Sequence, residues 1–158
     1  MTFKGDHPCL SMMHIIAYAP AIFVAVLLVG VIIHINIPMP FIHPLFGWIA
    51  GALLLTLCPA LIVWAQKYRR TLYVPVTDRT CFNFNVGPYR YSRHPVYVSL
   101  VILMIGAALV INSLAIIILT AIVVIKFSFF IIPEEEHELE KHCGGVYKDY
   151  KKSVRMWM

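Results

Sequence analysis

Residues 95–132 read PVYVSLVILMIGAALVINSLAIIILTAIVVIKFSFFII, an apolar stretch of 38 residues in which Lys126 is the only charged residue. As one α-helix this stretch would be roughly 57 Å long, nearly twice the roughly 30 Å hydrocarbon core of a bilayer. A single crossing cannot accommodate that length. Because the polar pair Asn112-Ser113 lies near the centre, the stretch predicts two short membrane-spanning helices, at about 95–111 and 114–132, joined by a tight turn.

The chain before this stretch contains another long apolar region. Residues 12–66 include no Lys, Arg, Asp or Glu in 55 positions, which is more than one crossing of roughly 20 residues requires. Pro38 and Pro40 would interrupt a helix near the middle of this region. We therefore predict two further spans, at about 14–35 and 44–66.

The four spans predict the fold class, an all-α integral membrane protein with four transmembrane helices and a cytoplasmic C-terminal helix. A composition of 60% hydrophobic and only 13% charged residues is typical of a protein surrounded by lipid, and 158 residues make a single domain, residues 1–158. The loop 67–94 and the tail 133–158 carry eleven of the thirteen Lys and Arg residues. Since cytoplasmic loops retain basic residues, we place this loop, this tail and both termini in the cytoplasm, and we expect a prokaryotic cytoplasmic membrane.

The net charge indicates which partners to expect, and the cysteine spacing indicates whether a metal site is present. A net charge of +5 suits the surface of an anionic membrane, so we expect membrane lipids and no nucleic acid. Cys9, Cys58, Cys81 and Cys143 lie far apart in the sequence and lack metal-ligand spacing, so we predict free thiols and no metal site. Lys126 is expected to extend its long side chain to the cytoplasmic interface, with a role in the pocket as the alternative. No motif indicates the oligomeric state.

The cytoplasmic tail predicts a helix in two parts. Pro133 would open an exposed helix at the acidic run 134–136, because a helix N-terminus favours both proline and negative charge. The glycine pair at 144–145 would interrupt this helix. Beyond the interruption, Tyr147 and Tyr150 fall on one helical face, which predicts that they pack against the membrane domain.

Two polar clusters flank the predicted hairpin of short spans, and a hairpin returns its two ends to the same membrane surface. The first cluster, residues 87–97, reads GPYRYSRHPVY and has Arg93 and His94 at a helix start; the second contains Glu135 and Glu136. Together they offer donors for a carboxylate, carboxylates for an ammonium group or ribose hydroxyls, and rings for an adenine or a sulfonium. S-adenosylmethionine has all of these parts, whereas nicotinamide and flavin cofactors have some of them.

The two clusters, taken together, resemble a known family. GPYRYSRHPVY, a hydrophobic helical hairpin, and then EExxL followed by a glycine and two tyrosines are similar to the C-terminal core of the isoprenylcysteine carboxyl methyltransferase family. The related membrane phospholipid methyltransferases look similar. The resemblance covers about residues 81–154 and implies an S-adenosylmethionine pocket between the last two spans and the tail. The residues that it places against the cofactor are Tyr89, His94, Pro95, Tyr97, Glu135 and Glu136.

Two additions complete the predicted cofactor site. The positive charge of Arg93 makes it a candidate partner for a carboxylate of the cofactor. In the family, the segment before the glycine also lines the cofactor. Here that segment is residues 81–84, with side chains unlike the usual family pattern, so the resemblance implies contact through its backbone.

The sequence departs from the family pattern at three positions. Ser99 stands where the first motif usually has glycine, and Arg155 replaces a proline of the tail. Members that methylate a prenylcysteine carboxylate carry an arginine four residues before the first glutamate, where this chain has Ile131. Without that cation to hold a carboxylate, we expect an acceptor other than a prenylcysteine.

The function predicted from these features is transfer of a methyl group to an oxygen, nitrogen or sulfur atom of a lipophilic acceptor at the cytoplasmic membrane surface, which leaves S-adenosylhomocysteine. No residue is assigned as a catalytic base. Two alternatives remain open. One is a nicotinamide-dependent membrane reductase related to sterol reductases, and the other is a membrane protein that binds a ligand without catalysis.

Overall fold

The computed structural model describes residues 8–72 and 86–157, and within these ranges it contains helices and turns but no strand. The elements, in chain order, are α1 (Pro8–Asn36), α2 (Pro44–Leu72), a 3₁₀ turn (Gly87–Arg90), α3 (Pro95–Ile111), α4 (Leu114–Lys126), a π-helical turn (Phe127–Ile131), α5 (Ile132–Cys143) and α6 (Gly145–Ser153).

Among the residues that the structure describes, three helical segments are long and apolar enough to cross a bilayer: Tyr18–Asn36, Pro44–Tyr68 and Leu114–Lys141. Helix α3 is also apolar but has 17 residues, or about 25 Å. Its two ends are those predicted from the sequence. In contrast, α2 continues to Leu72, six residues past the predicted end of the second span, so the start of the predicted 67–94 loop is helical.

The turn between α3 and α4 is built on Asn112, whose φ of 56° lies in the left-handed region. This conformation lets the backbone N–H of Ser113 bond to the carbonyl of Ala108 at 2.9 Å, as in a Schellman motif. The Asn112 side chain then crosses to the loop between α1 and α2. Its Oδ1 accepts the N–H groups of Phe41 and Ile42, and its Nδ2 donates to the Ile42 carbonyl at 2.8 Å. The α1–α2 loop and the α3–α4 turn therefore lie at the same end of the bundle.

Helices α2 and α3 pack antiparallel at very close range. A Cβ atom at Gly51 would lie 2.7 Å from the carbonyl oxygen of Gly106. One turn earlier, a Cβ atom at Gly47 would lie 2.6 Å from the carbonyl oxygen of Leu109. Glycines four residues apart permit this approach, as in small-xxx-small contacts between membrane helices.

The main core of buried side chains lies between α1, α3 and α4. Phe23 of α1 and Met104 of α3 are among its fully buried side chains, and Phe23 meets the ring of Phe127 edge-on at 5.4 Å between centroids. Gly30 of α1 approaches Ile116 of α4, where a Cβ atom would lie 2.7 Å from Cγ1. The core ends close to the π-helical turn, which carries Phe127.

The predicted exposed helix opening at Pro133 is only partly correct. The backbone stays helical from α4 through the π-helical turn into α5, because a wider turn can accommodate a proline that lacks an N–H and would clash with the carbonyl four residues earlier. Glu134 is exposed, but Glu135 and Glu136 are each only 3% exposed. The acidic pair is thus a buried part of the protein.

The predicted interruption of the tail is confirmed at Gly144. Its φ of 58° and ψ of −131° end α5 and start α6, and a positive φ favours glycine because it has no Cβ. Tyr147 and Tyr150 of α6 are buried with Val154 against Leu139 of α5. Both tyrosines are buried, but their partners in this cluster belong to the tail and not to the membrane domain that the prediction named.

Candidate functional site

The turn that leads into α3 orders the first polar cluster. Pro95 occupies the first turn of α3 and His94 is the capping residue before it, an arrangement that uses proline where no helical N–H is needed. The backbone N–H of His94 donates to Ser92 Oγ at 3.2 Å. Upstream, Gly87 has a φ of 55°, and a Cβ atom there would lie 2.5 Å from the Tyr68 ring. Only glycine fits this position.

Both buried glutamates of α5 face this turn. Glu136 Oε1 lies 2.6 Å from Arg93 Nη1 and 3.4 Å from His94 Nε2. Glu135 Oε2 lies 3.6 Å from His94 Nδ1. The two halves of the sequence pattern, about forty residues apart, therefore meet as one cluster of opposite charges. The buried carboxylates need these partners, because an unpaired charge away from water is costly.

Aromatic rings enclose the imidazole side of the cluster. The His94 and Tyr97 rings are stacked at 5.5 Å between centroids and 14° between planes. The Tyr97 hydroxyl donates a hydrogen bond to Glu135 Oε1, and its ring contacts Phe127 edge-on at 5.4 Å. Tyr97 thus connects the start of α3 with the acidic pair and with the π-helical turn.

Arg93 is the least satisfied member of the cluster. Its side chain is 9% exposed, yet its Nε and Nη1 atoms have no hydrogen-bond acceptor among the described residues. The 2.6 Å contact with Glu136 is therefore an ion pair without hydrogen-bond geometry. A guanidinium group offers five N–H donors that suit carboxylate and phosphate oxygens. Its buried, unused donors suit an anionic group of a ligand.

The tail closes the cluster on its outer side. Lys151 Nζ of α6 lies 3.0 Å from Glu136 Oε2 and 2.8 Å from Glu140 Oε1, and these two carboxylates raise the pKa of Lys151. The Tyr150 hydroxyl donates to the carbonyl of Tyr89 at 2.7 Å. Burial raises the pKa values of Tyr147 and Tyr150, so both hydroxyls keep their protons at physiological pH.

An apolar groove adjoins the cluster between α2, the 3₁₀ turn and α3. Its empty volume is about 430 Å³, including the side that is open. The lining side chains are Leu61, Trp64, Pro88, Tyr91, Ser92, Pro95, Val98 and Ser99. Ser92 and Pro95 are chain neighbours of Arg93 and His94, so the groove begins directly beside the charged cluster.

The predicted site residues divide into two groups in space. Arg93, His94, Tyr97, Glu135 and Glu136 come together in the charged cluster. The other two predicted residues lie beside it: Pro95 lines the groove, and Tyr89 is buried and bonded to the tail through its carbonyl. Residues 81–84, predicted to line the cofactor, are outside the described residues.

Four residues that hold or connect parts of the site were not predicted from the sequence. Lys151 is paired with Glu136 because the break at Gly144 folds α6 back along α5. Ser92, Ser128 and Trp157 form hydrogen bonds across elements. Ser92 has a local signal, because a serine hydroxyl often bonds to the backbone N–H two residues on, as it does here to His94, but long-range partners have no local signal.

Of the four cysteine side chains, the structure describes that of Cys58 alone. Cys58 is a free, buried thiol, as predicted, and it donates to the Ser99 carbonyl at 3.2 Å. Cys81 lies outside the described residues. Among the side chains that the structure describes, no group of three His, Cys, Asp or Glu residues could hold a metal ion.

The chain was compared with models of protein families, with curated proteins and with solved structures. A family model described as phospholipid methyltransferase matches residues 48–145, which run from the first turns of α2 to the start of α6 and include both polar clusters. The match covers 98 of the 158 residues. No curated protein and no solved structure matches the chain.

Proposed function

The chain belongs to the phospholipid methyltransferase family, and we propose that it transfers a methyl group from S-adenosylmethionine to a lipophilic acceptor at the cytoplasmic surface of the membrane. It is an integral membrane protein with at least three helices able to cross a bilayer. The methyl group would pass to an oxygen, nitrogen or sulfur atom, leaving S-adenosylhomocysteine, and an acceptor that carries a proton would release it.

The observation that supports this proposal best is the charged cluster, which contains Arg93 and Glu136. Buried Arg93 has donors that no described residue uses, and these fit a carboxylate of the cofactor. Glu135 and Glu136 stand beside it as acceptors for an ammonium group or for ribose hydroxyls. The stacked rings of His94 and Tyr97 provide an aromatic surface for adenine or for a cationic sulfonium. Tyr89 and Pro95 complete the proposed set at its edge.

The protein's contribution to the reaction would be positioning and exclusion of water. S-adenosylmethionine, when bound, supplies an activated methyl group, so little covalent assistance is required from side chains. The buried cluster and the adjoining apolar groove keep solvent away from the reacting atoms. Tyr97 fixes Glu135 and Lys151 fixes Glu136. We assign no catalytic base.

Four transmembrane spans are part of the proposal, with α3 as the fourth. The contacts between α2 and α3 pair Cys58 with Ser99 and Gly51 with Gly106, so α3 runs antiparallel along most of the depth of α2. Its far end at Asn112 is bonded to the α1–α2 loop. A short helix that reaches the same level as a long neighbour crosses the same layer.

The orientation and the domain boundaries are also part of the proposal. The charged cluster and the tail lie at the same end of the bundle as the C-terminal end of α2, where Tyr68 lies next to Gly87. The sequence of this region is rich in Lys and Arg, and basic segments favour the cytoplasmic side. We therefore propose that both termini are cytoplasmic, in a prokaryotic cytoplasmic membrane, with residues 1–158 as one domain, the loop 67–94 and tail 133–158 forming the cofactor-binding side.

The acceptor we propose is a lipid or another apolar small molecule. The groove beside the cluster is lined by apolar surface, which suits an acyl or other hydrocarbon chain. Ile131, which packs against the core, stands where prenylcysteine methyltransferases have an arginine. No cation at this position holds an acceptor carboxylate, which favours acceptors other than a prenylcysteine.

The decisive experiment is calorimetric titration of the detergent-purified protein with S-adenosylmethionine and S-adenosylhomocysteine. We expect roughly micromolar binding of both ligands, and a loss of about tenfold or more in Glu135→Gln and His94→Ala. The first removes a buried negative charge that can accept strong hydrogen bonds, and the second removes a buried hydrogen-bonding partner. Glu134→Gln is the matched control, since Glu134 is an exposed neighbour on the same helix.

A parallel titration with NADPH separates the alternatives. Binding of NADPH and not of the two sulfur ligands would contradict the proposal and support a membrane reductase. Binding of both sulfur ligands without methyl incorporation into any lipid fraction would identify a ligand-binding protein without catalysis. Thermal unfolding of each variant confirms that a lost titration signal does not come from an unfolded protein.

A further inference from the structure

The tail residues 154–157, here called the tail segment, run back from α6 onto the polar cluster. Val154 has an extended conformation after the end of α6. Arg155 and Met156 then lie against the turn before α3, and Met156 and Trp157 are half-buried against the main core. The tail segment therefore contacts the membrane bundle and not only the helix that precedes it.

Its first attachment is to the backbone of the cluster. The N–H of Arg93 donates to the Arg155 carbonyl at 3.1 Å, and Ser92 Oγ donates to the Met156 carbonyl at 3.0 Å. The same Ser92 oxygen accepts the N–H of His94. Two carbonyls of the tail segment thus hold the three consecutive residues that present the guanidinium and the imidazole to the glutamates.

Its second attachment is to the helix that carries the glutamates. Trp157 Nε1 donates to Ser128 Oγ at 3.2 Å, and Ser128 lies in the π-helical turn, seven residues before Glu135. Ser128 Oγ in turn donates to the Val124 carbonyl at 2.8 Å. The tail segment consequently bridges the two halves of the cluster without using any of its charged side chains.

We propose that Trp157 is a positioning residue, which sets the separation between the Arg93–His94 turn and the Glu135–Glu136 pair through its bond to Ser128. The consequence for cofactor affinity rests on the function proposed above. The effect on the turn itself does not, because it depends only on hydrogen bonds of the protein. Arg93 and His94 lie before α3 without a side-chain cap, so the bonds from the tail segment add a restraint on this turn besides its contacts with the two glutamates.

The test compares Trp157→Phe with Ser128→Ala. The first keeps an aromatic ring but removes the indole N–H, and the second removes its acceptor. Trp48→Phe is the matched control, because Trp48 is an exposed tryptophan near the opposite end of α2. The first readout is hydrogen exchange of peptides covering residues 90–98, which include the Arg93 amide. The second readout is affinity for S-adenosylhomocysteine.

We expect faster exchange of residues 90–98 in Trp157→Phe and in Ser128→Ala, and unchanged exchange in Trp48→Phe. Affinity for S-adenosylhomocysteine should fall roughly twofold to tenfold in each variant, the effect of losing one hydrogen bond. The double variant should lose no more than either single variant, since both changes remove the same bond. The thermal midpoint should stay close to that of the wild type.

Two results would overturn the proposal: unchanged exchange of residues 90–98 in both variants, or faster exchange with full affinity for the ligand. An absence of ligand binding by the wild-type protein would instead reject the proposed function. In that case the exchange measurement alone decides whether the tail segment restrains the turn.

Discussion

Arg93 of the turn before α3 and Glu136 of α5 form a buried ion pair, with 2.6 Å between Nη1 and Oε1. The two residues are 43 positions apart, and a helical hairpin separates them in the chain. Their side chains are 9% and 3% exposed, so neither charge has ready access to water. The pair joins the two polar clusters at the place where the proposed cofactor site lies.

Breaking this ion pair should destabilise the protein strongly. Glu136→Gln leaves the buried Arg93 guanidinium without the carboxylate that it contacts, which typically costs about 3–5 kcal/mol. Arg93→Met should cost less, because Glu136 keeps Lys151 at 3.0 Å and His94 at 3.4 Å. The double variant should lose less than the sum of the two. Denaturant unfolding of the detergent-solubilised protein measures all three. Lys152→Gln, which breaks the exposed pair with Asp149, should cost under about 1 kcal/mol. Additive losses would show that the two charges do not act together.

The close approach of α2 and α3 predicts opposite outcomes for two glycines. Gly51→Ala puts a Cβ atom 2.7 Å from the Gly106 carbonyl oxygen, so we expect a loss of about 1–3 kcal/mol from overpacking. Gly145→Ala is the control, because no atom lies within 4 Å of the new Cβ and alanine favours a helix. Thermal midpoints in one detergent compare the two. Equal midpoints would contradict the close packing.

Asn112 combines a backbone role with a side-chain role, and two substitutions separate them. Asn112→Gly keeps access to the left-handed conformation but loses three hydrogen bonds to the α1–α2 loop. Asn112→Ala loses the same three hydrogen bonds and should cost about 1–2 kcal/mol more, because alanine disfavours a left-handed φ. We expect stability to fall in the order wild type, glycine, alanine, as measured by thermal unfolding. Asn36→Ala, which removes one local bond within α1, should have a smaller effect than either.

Alkaline pH should destabilise the tail through its buried tyrosines. Burial raises the pKa values of Tyr147 and Tyr150 in the folded protein, so the unfolded chain binds fewer protons than the folded one above pH about 10. Stability is therefore retained below that pH and falls as the pH rises further, by up to about 1.4 kcal/mol per unit and tyrosine. In a series of melting curves, Tyr147→Phe should reduce this slope, whereas Tyr91→Phe, at an exposed position, should not.

The groove beside the cluster predicts a separable effect on the acceptor. Val98→Phe would reduce the space between α2 and α3 that Val98 lines, so methyl incorporation into lipid should show a KM for the acceptor raised by about tenfold. Affinity for S-adenosylhomocysteine should stay within about twofold, because the bond that joins Val98 to the cluster runs from its backbone N–H to the His94 carbonyl, and phenylalanine keeps that bond. Both figures are order-of-magnitude expectations for a hydrophobic pocket. Ile118→Phe, on an exposed face of α4, should leave both values unchanged. Equal acceptor kinetics in the two variants would place the acceptor elsewhere.

The sequence predicted the helices and turns of this protein better than the contacts between them. The ends of α3 and the turn at Asn112-Ser113 agree with the predicted hairpin, because the length of an apolar stretch is limited by the thickness of a bilayer. The family resemblance was also apparent, since its two motifs keep a fixed spacing. The exposed start of α5 at Pro133 was wrong for Glu135 and Glu136, because a local charge pattern does not reveal the partners that bury it.

What the sequence by itself determined is the apolar helices, the proline and glycine positions where they end, and the two polar motifs, because each depends on neighbouring residues along the chain. The tertiary structure alone decided that Glu136 meets Arg93 and Lys151, and that Trp157 reaches Ser128. These partners are far apart in sequence. They come together only when close packing of α2 and α3 and the fold of α6 onto α5 bring the ends of several elements to one surface, where buried charges must find opposite charges.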